Sequence, residues 1–145
     1  MNFEGSYELK VPREAVWDFI IDPNKIGKCL PDMKNLEVEG EDKFTAVIRV
    51  GIGFIKGDFK FRLAIAEKNP PSHARLTGRG AGSGSSIDMD TAIELAEVPG
   101  GTKLTYKADV KVGGVMAGLG QRMMAGATEK TVNDVFDCVK RQLEK

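Results

Sequence analysis

Residues 78–86 read GRGAGSGSS, with glycine at Gly78, Gly80, Gly82 and Gly84. A glycine-rich stretch binds phosphate when a strand leads in and a helix leads out, because the helix N-terminus supplies amides and the positive end of its dipole. Here the pattern predicts a strand on both sides. The spacing also fails, since GxGxxG would need glycine at 83 or 85 and both are serine. A nucleotide site is therefore not expected. Other chemistry-bearing residues are sparse. His73 is the single histidine; it follows Pro70-Pro71 and falls on the outward parity of its strand. No Ser-His-Asp or Cys-His constellation forms around it unless a loop folds inward. Cys29 and Cys138 have neither zinc spacing nor the look of a disulfide framework, and read as small buried hydrophobes with reduced thiols. Asp88, Asp90 and Glu94 share a wet face with Arg75 and Arg79, the pattern of solvated cross-strand pairs. No catalytic residue, metal site or cofactor is expected.

Periodicity sets the elements that carry these residues. Phe3, Tyr7 and Leu9 alternate with Asn2, Glu4, Glu8 and Lys10, which predicts a half-buried opening strand. In VPREAVWDFIIDP, Pro12 suits a first helical turn, Ala15, Val16, Phe19 and Ile20 form a helical stripe, and Pro23 ends it. NKIGKCLPDM predicts a second short helix ended by Pro31. From Leu36 to Gly114 the apolar period is two, through six further strands separated by turns such as KNPPSH and EVPGGT. Clean alternation marks antiparallel strands with one wet and one dry face. The dry positions carry no Asp, Glu, His, Lys, Arg or Cys, and Thr91 and Tyr106 are their most polar members. General acid–base catalysis needs a titratable group within reach of substrate, so none is expected there. From Met116 to Leu143 the period becomes three or four, which predicts one long amphipathic helix of roughly 40 Å at 1.5 Å per residue. The fold class expected is α+β: a curved antiparallel sheet whose dry face is covered by the terminal helix, in one domain over residues 1–145.

On this parity Gly78 and Gly80 face inward beside Leu76. A two-residue turn at Gly82-Ser83 would set Gly78 opposite Ile87, Leu76 opposite Met89 and Arg75 opposite Asp90. Removing inward side chains has two readings: the covering helix packs tightly there, or an apolar cavity is left. The start of the long helix is equally unusual. Gly118, Gly120 and Gly126 fall inside its pattern, each costing about 1 kcal/mol relative to Ala. Met116, Met123 and Met124 cluster with them, which suits either close packing or a surface that repacks around ligands.

Lys and Arg total 21, as do Asp and Glu, so the formal net charge is zero. No basic surplus drives binding to nucleic acid. The opening MNFEGSYELK lacks the features of a signal peptide, and no apolar run reaches the roughly 20 residues of a membrane span. A cytoplasmic protein is the expectation.

The segments VWDFIIDPNKIGKCLPDM, GFIKGDF, LTGRGAGSG and GGVMAGLGQRMM together resemble the CoxG family of carbon monoxide dehydrogenase, which falls in the START-like, Bet v 1-like (SRPBCC) superfamily of helix-grip folds. Similar family members typically have glycine after the Cys-Leu-Pro step, where this chain has Asp32. The resemblance implies a seven-stranded sheet gripping the terminal helix, with an apolar cavity between them. It also implies service to a molybdenum hydroxylase, through handling of a lipid or quinone, through maturation, or through attachment to the inner face of the membrane. The expected function is a non-enzymatic hydrophobic-ligand carrier. Phe59, Phe61, Leu63, Leu76, Met89, Tyr106, Met116, Leu119 and Met123 would line its site, Gly78 and Gly80 would provide room, and Gln121, Arg122 or Tyr106 would hold a polar head. Rival expectations are a polyketide cyclase- or dehydratase-like enzyme, which needs an inward titratable group, and a filled-core assembly or membrane-attachment protein.

Overall fold

The two-residue period becomes a single sheet. A computed structural model describes residues 1–144. Its strands are β1 (Asn2–Leu9), β2 (Met33–Val38), β3 (Lys43–Ile52), β4 (Ile55–Asn69), β5 (His73–Gly82), β6 (Ser85–Val98) and β7 (Gly101–Gly114). They form one antiparallel sheet in the order β1-β7-β6-β5-β4-β3-β2. Between β1 and β2 lie α1 (Arg13–Ile20), α2 (Pro23–Ile26) and a 3-10 turn, Gly27–Cys29. Pro12 precedes α1 at φ −61, and Asp22 caps α2 by accepting from the Asn24 amide at 2.9 Å. Thr102, wholly buried between β7 and the start of α1, donates its hydroxyl to the Val11 carbonyl at 2.8 Å. Asp32, standing where the family has glycine, takes φ 52, a left-handed conformation that aspartate tolerates better than most side chains.

Three sequence expectations are corrected. First, the β5–β6 turn lies at Ser83-Gly84 (φ 49 and 69), not Gly82-Ser83. Two successive positive φ values give the turn that matches the strand twist. The register therefore shifts by two, with Gly80 opposite Ile87, Gly78 opposite Met89, Leu76 opposite Thr91 and Arg75 opposite Ala92. A shift of two keeps every side chain on its face.

Second, the terminal helix is broken. A 3-10 turn, Val115–Leu119, is followed by Gly120 at φ 91, and α3 runs from Gln121 to Leu143, 23 residues. At 1.5 Å per residue that is about 35 Å. Gly118 and Gly120 thus lie before the helix, and only Gly126 lies within it. A side chain at Gly120 would strain the break, which is why glycine stands there.

Third, Cys29 and Cys138 form a disulfide, with Cα atoms 5.4 Å apart across 109 residues of sequence. The bond fastens the Gly27–Cys29 turn to the C-terminal half of α3. With the pair oxidised, the cysteines no longer argue for a reducing compartment. No helix among the described residues is long and apolar enough to cross a membrane.

Candidate functional site: the inner face beneath α3

The buried apolar side chains fall into two clusters. One joins α1 to β1 and β5–β7 through Leu9, Val16, Trp17, Ile20, Ala74, Ile93, Leu95, Leu104 and Tyr106. The other joins β3 and β4 to the Val115–Leu119 turn and α3 through Phe44, Ile55, Phe59, Phe61, Leu63, Met116 and Met124. Between them, a row crosses four strands in register: Leu76 opposite Thr91, Thr91 opposite Ala108, Ala108 opposite Phe3. All four lie on the dry face and all are only half-buried. Gly78 and Met89, the next pair along, are half-buried too. Above, α3 presents Thr128, Val132, Val135 and Phe136, which are also half-buried. A helix packed tightly on a sheet would bury both sets, because protein cores reach crystal-like density.

The glycines of β5 answer to different neighbours. A Cβ on Gly80 would lie 2.5 Å from Phe61 Cδ1, and one on Gly78 would lie 2.6 Å from Leu63 Cδ2 and 2.7 Å from Met89 Cε. A Cβ on Gly82 would lie 2.8 Å from Phe59 Cδ1. Each glycine is therefore a seat for a β4 side chain, and in two of the three cases that side chain belongs to the residue directly opposite. The expectation that Gly78 and Gly80 leave empty room is corrected: large β4 side chains lean over them.

The anticipated site residues are divided. Phe59, Phe61, Leu63 and Met116 are buried together, with Met89 and Leu119 packed against them. Leu76 packs against the cluster that contains Tyr106. Gln121, Arg122 and Met123 are exposed at the start of α3 and do not reach the inner face as cluster members. Sequence reasoning missed an aromatic stack that joins the sheet to the middle of α3. Phe136 lies 4.7 Å from Tyr7 and 5.4 Å from Tyr106, ring centre to ring centre. Tyr7 donates its hydroxyl to Asn133 Oδ1 at 2.6 Å, while the Tyr106 hydroxyl meets no partner among the described residues. The Tyr106 ring lies over Gly5, where a Cβ would sit 3.0 Å from the hydroxyl. Burial raises both phenols above their ordinary range, Tyr106 with further help from Glu129 and Tyr7 from Tyr106 and Asp137. Both are neutral donors at neutral pH. The signal was present, since Gly5 and Tyr7 share the inward parity of β1, but it reads as ordinary core.

The wet face behaves as expected. Arg75 grips Asp90 with Nε–Oδ1 2.8 Å and Nη2–Oδ2 2.5 Å, and Arg79 Nε lies 3.3 Å from Asp88. Hydrogen bonding from Arg75 holds the Asp90 carboxyl below its usual range. The pair is complete above the ordinary aspartate range and is lost as pH falls through the lowered value. His73 lies between Glu94 (Nδ1–Oε1 3.1 Å) and Glu67 (Nε2–Oε2 3.4 Å), so it has partners on the surface and none inside. Exposed pairs of this kind contribute little, and His73→Ala is expected to change the unfolding free energy by less than about 0.5 kcal/mol in urea titration. A larger loss would mean that His73 does more than line the outer face. A groove of about 560 Å³ on this side is lined by Asn2, Glu4, Asp90, Lys107 and Asp109 among others, a charged wall unsuited to apolar ligands.

Sheet, short helices and gripped terminal helix define a START-like helix-grip protein. A START superfamily protein from Mycobacterium smegmatis shares the fold at TM-score 0.74 and 11% identity, over 99% of this chain and 97% of that one. The chain belongs to the CoxG family of carbon monoxide dehydrogenase, whose model matches residues 5–144. A conserved protein from Geobacillus kaustophilus is 33% identical with TM-score 0.92, over 99% of this chain and 95% of that one. A Chromobacterium violaceum protein is 20% identical with TM-score 0.73, over 100% and 99%. No curated protein matches the chain.

Proposed function

We propose that the protein is a non-enzymatic carrier of an elongated apolar molecule, a lipid or isoprenoid quinone, held between the sheet and α3. The observation that carries this reading is the half-buried row Leu76–Thr91–Ala108–Phe3 beneath a helix that should have buried it. Binding sites of this class are mostly apolar with few polar groups, and Thr91 and the Tyr106 phenol fit that description. A neutral phenol donates to a quinone carbonyl or a lipid ester alike. Phe61, Leu63 and Met89 would move aside as the ligand enters, and methionine does so at low cost. Family membership supports the further proposal that the carrier serves a molybdenum hydroxylase of the carbon monoxide dehydrogenase type. An enzyme of the cyclase class would need an acid or base on the inner face, and the inner row offers only Thr91 and phenols.

Entry requires α3 to lift, and its two halves differ. The N-terminal half begins at Gly120 with no side-chain cap and no acid in its first turn, and Arg122 there opposes the dipole. Gly126 and the back-bonded Thr128 and Thr131 weaken it further. The C-terminal half has the disulfide, fully buried Val139, and Lys140 and Arg141 at the favourable end of the dipole. Amide exchange is therefore expected to be fast over 115–124 in the empty protein and to slow when a quinone is added, with little change over 132–143. Native mass spectrometry with lipid extraction would identify what is bound. Equal protection in both halves, with no response to quinone or lipid, would instead support a filled core and an assembly role.

A further inference from the structure

We infer that the end of the molecule built from the β3–β4, β5–β6 and β7–α3 connections docks on an anionic lipid bilayer. Phe54, in the β3–β4 turn, is 70% exposed; Val115 and Met123, flanking the start of α3, are 50% and 48% exposed. These are three of the four large apolar side chains that stand exposed among the described residues. They belong to one surface. A Cβ on Gly53, next to Phe54, would lie 3.1 Å from Met123 Sδ and 3.2 Å from Leu119 Cδ2. One on Gly84 would lie 3.2 Å from Val115 Cγ2, and the Val115 amide donates to the Gly84 carbonyl at 3.1 Å. Ser83 closes the ring by donating its hydroxyl to the Lys56 carbonyl at 3.3 Å.

Charge selects the occupant. Residues 49–57, 80–87 and 111–128 contain Arg49, Lys56, Lys111 and Arg122 and no Asp or Glu, in a chain whose charges otherwise balance. Arg49 reaches Asp58 at 3.8 Å, whereas Lys56 and Arg122 have no acidic partner among the described residues. Two copies meeting through this surface would bring cations against cations, since a two-fold contact pairs a patch with itself. A bilayer bearing anionic headgroups complements both features: Phe54, Val115 and Met123 enter the acyl boundary while Lys56 and Arg122 stay among the headgroups. The inference rests on the carrier reading for its purpose, because the weak half of α3 borders both this surface and the half-buried row. Its geometry stands apart from that reading.

The test is sedimentation with vesicles of phosphatidylcholine alone and of an equal mixture with phosphatidylglycerol. In parallel, binding of a short-chain benzoquinone added from ethanol is measured without vesicles. The protein is expected to sediment with the mixed vesicles and about tenfold less with phosphatidylcholine or in high salt. Phe54→Ser and Lys56→Gln, both at exposed positions, should each weaken vesicle binding several-fold and leave benzoquinone binding unchanged. Failure to sediment with either vesicle would overturn the docking surface, whatever the benzoquinone result. So would Phe54→Ser sedimenting like the parent, or a concentration-dependent dimer that Phe54→Ser abolishes in a protein that ignores vesicles. Vesicle binding without benzoquinone binding would uphold the surface and sink the carrier reading instead.

Discussion

Cys138→Ser is expected to lower the unfolding free energy by about 2 to 5 kcal/mol. The Cys29–Cys138 bond closes a loop spanning 109 residues, long enough for cross-linking to remove much of the unfolded chain's freedom. Cys29 is 4% exposed and the bond joins the Gly27–Cys29 turn to α3, so native contacts weaken too. Dithiothreitol should bring the parent to the same urea midpoint as the variant. The consequence for function is specific. With the bond intact, α3 opens from its start and stays fixed at its end; without it, exchange should quicken over 132–143 as well. If oxidised and reduced protein unfold at one urea concentration, the bond contributes nothing and α3 is held by packing alone.

Gly80→Ala is expected to cost about 1 to 3 kcal/mol, as overpacking of a filled core does. The new methyl would meet Phe61 Cδ1 and Cζ at 2.5 and 2.9 Å, with Cε1 between them closer still. The Phe61 ring is buried and stacked 6.3 Å from Phe59, so it has no easy retreat except toward α3. Gly80→Leu, harmless if an empty cavity lay there, should be worse still. Gly78→Ala should cost less, because the nearest atoms are the ends of Leu63 and of half-buried Met89, which can swing into the row. Urea titration of the three variants ranks them. A Gly80→Ala protein as stable as its parent would show that the seat for Phe61 is not what glycine serves. The Gly78→Ala variant carries a second readout: Met89 pushed into the row should weaken quinone binding with little loss of stability.

The sequence by itself determined the elements and their faces. A period of two over Leu36–Gly114 and a period near four after it follow from the geometry of strand and helix, and each is a local property. Side-chain parity therefore survives a misplaced turn: moving it from Gly82-Ser83 to Ser83-Gly84 shifts the register by two and leaves Leu76, Gly78 and Gly80 facing inward. Arg75 and Asp90 still pair, though on the diagonal rather than directly opposite. Tertiary structure decided what depends on residues distant in the chain. Whether Cys29 meets Cys138 depends on where a helix begun at Gln121 has travelled by residue 138, and no local pattern holds that information. Whether a glycine opens space or seats a ring depends on the residue opposite it, and Phe61 becomes the neighbour of Gly80 only once β4 and β5 are paired. The half-buried row is of the same kind. Each of its residues reads as ordinary core, and the gap above it exists only because α1 and the Val115–Leu119 turn draw the apolar side chains into two separate clusters.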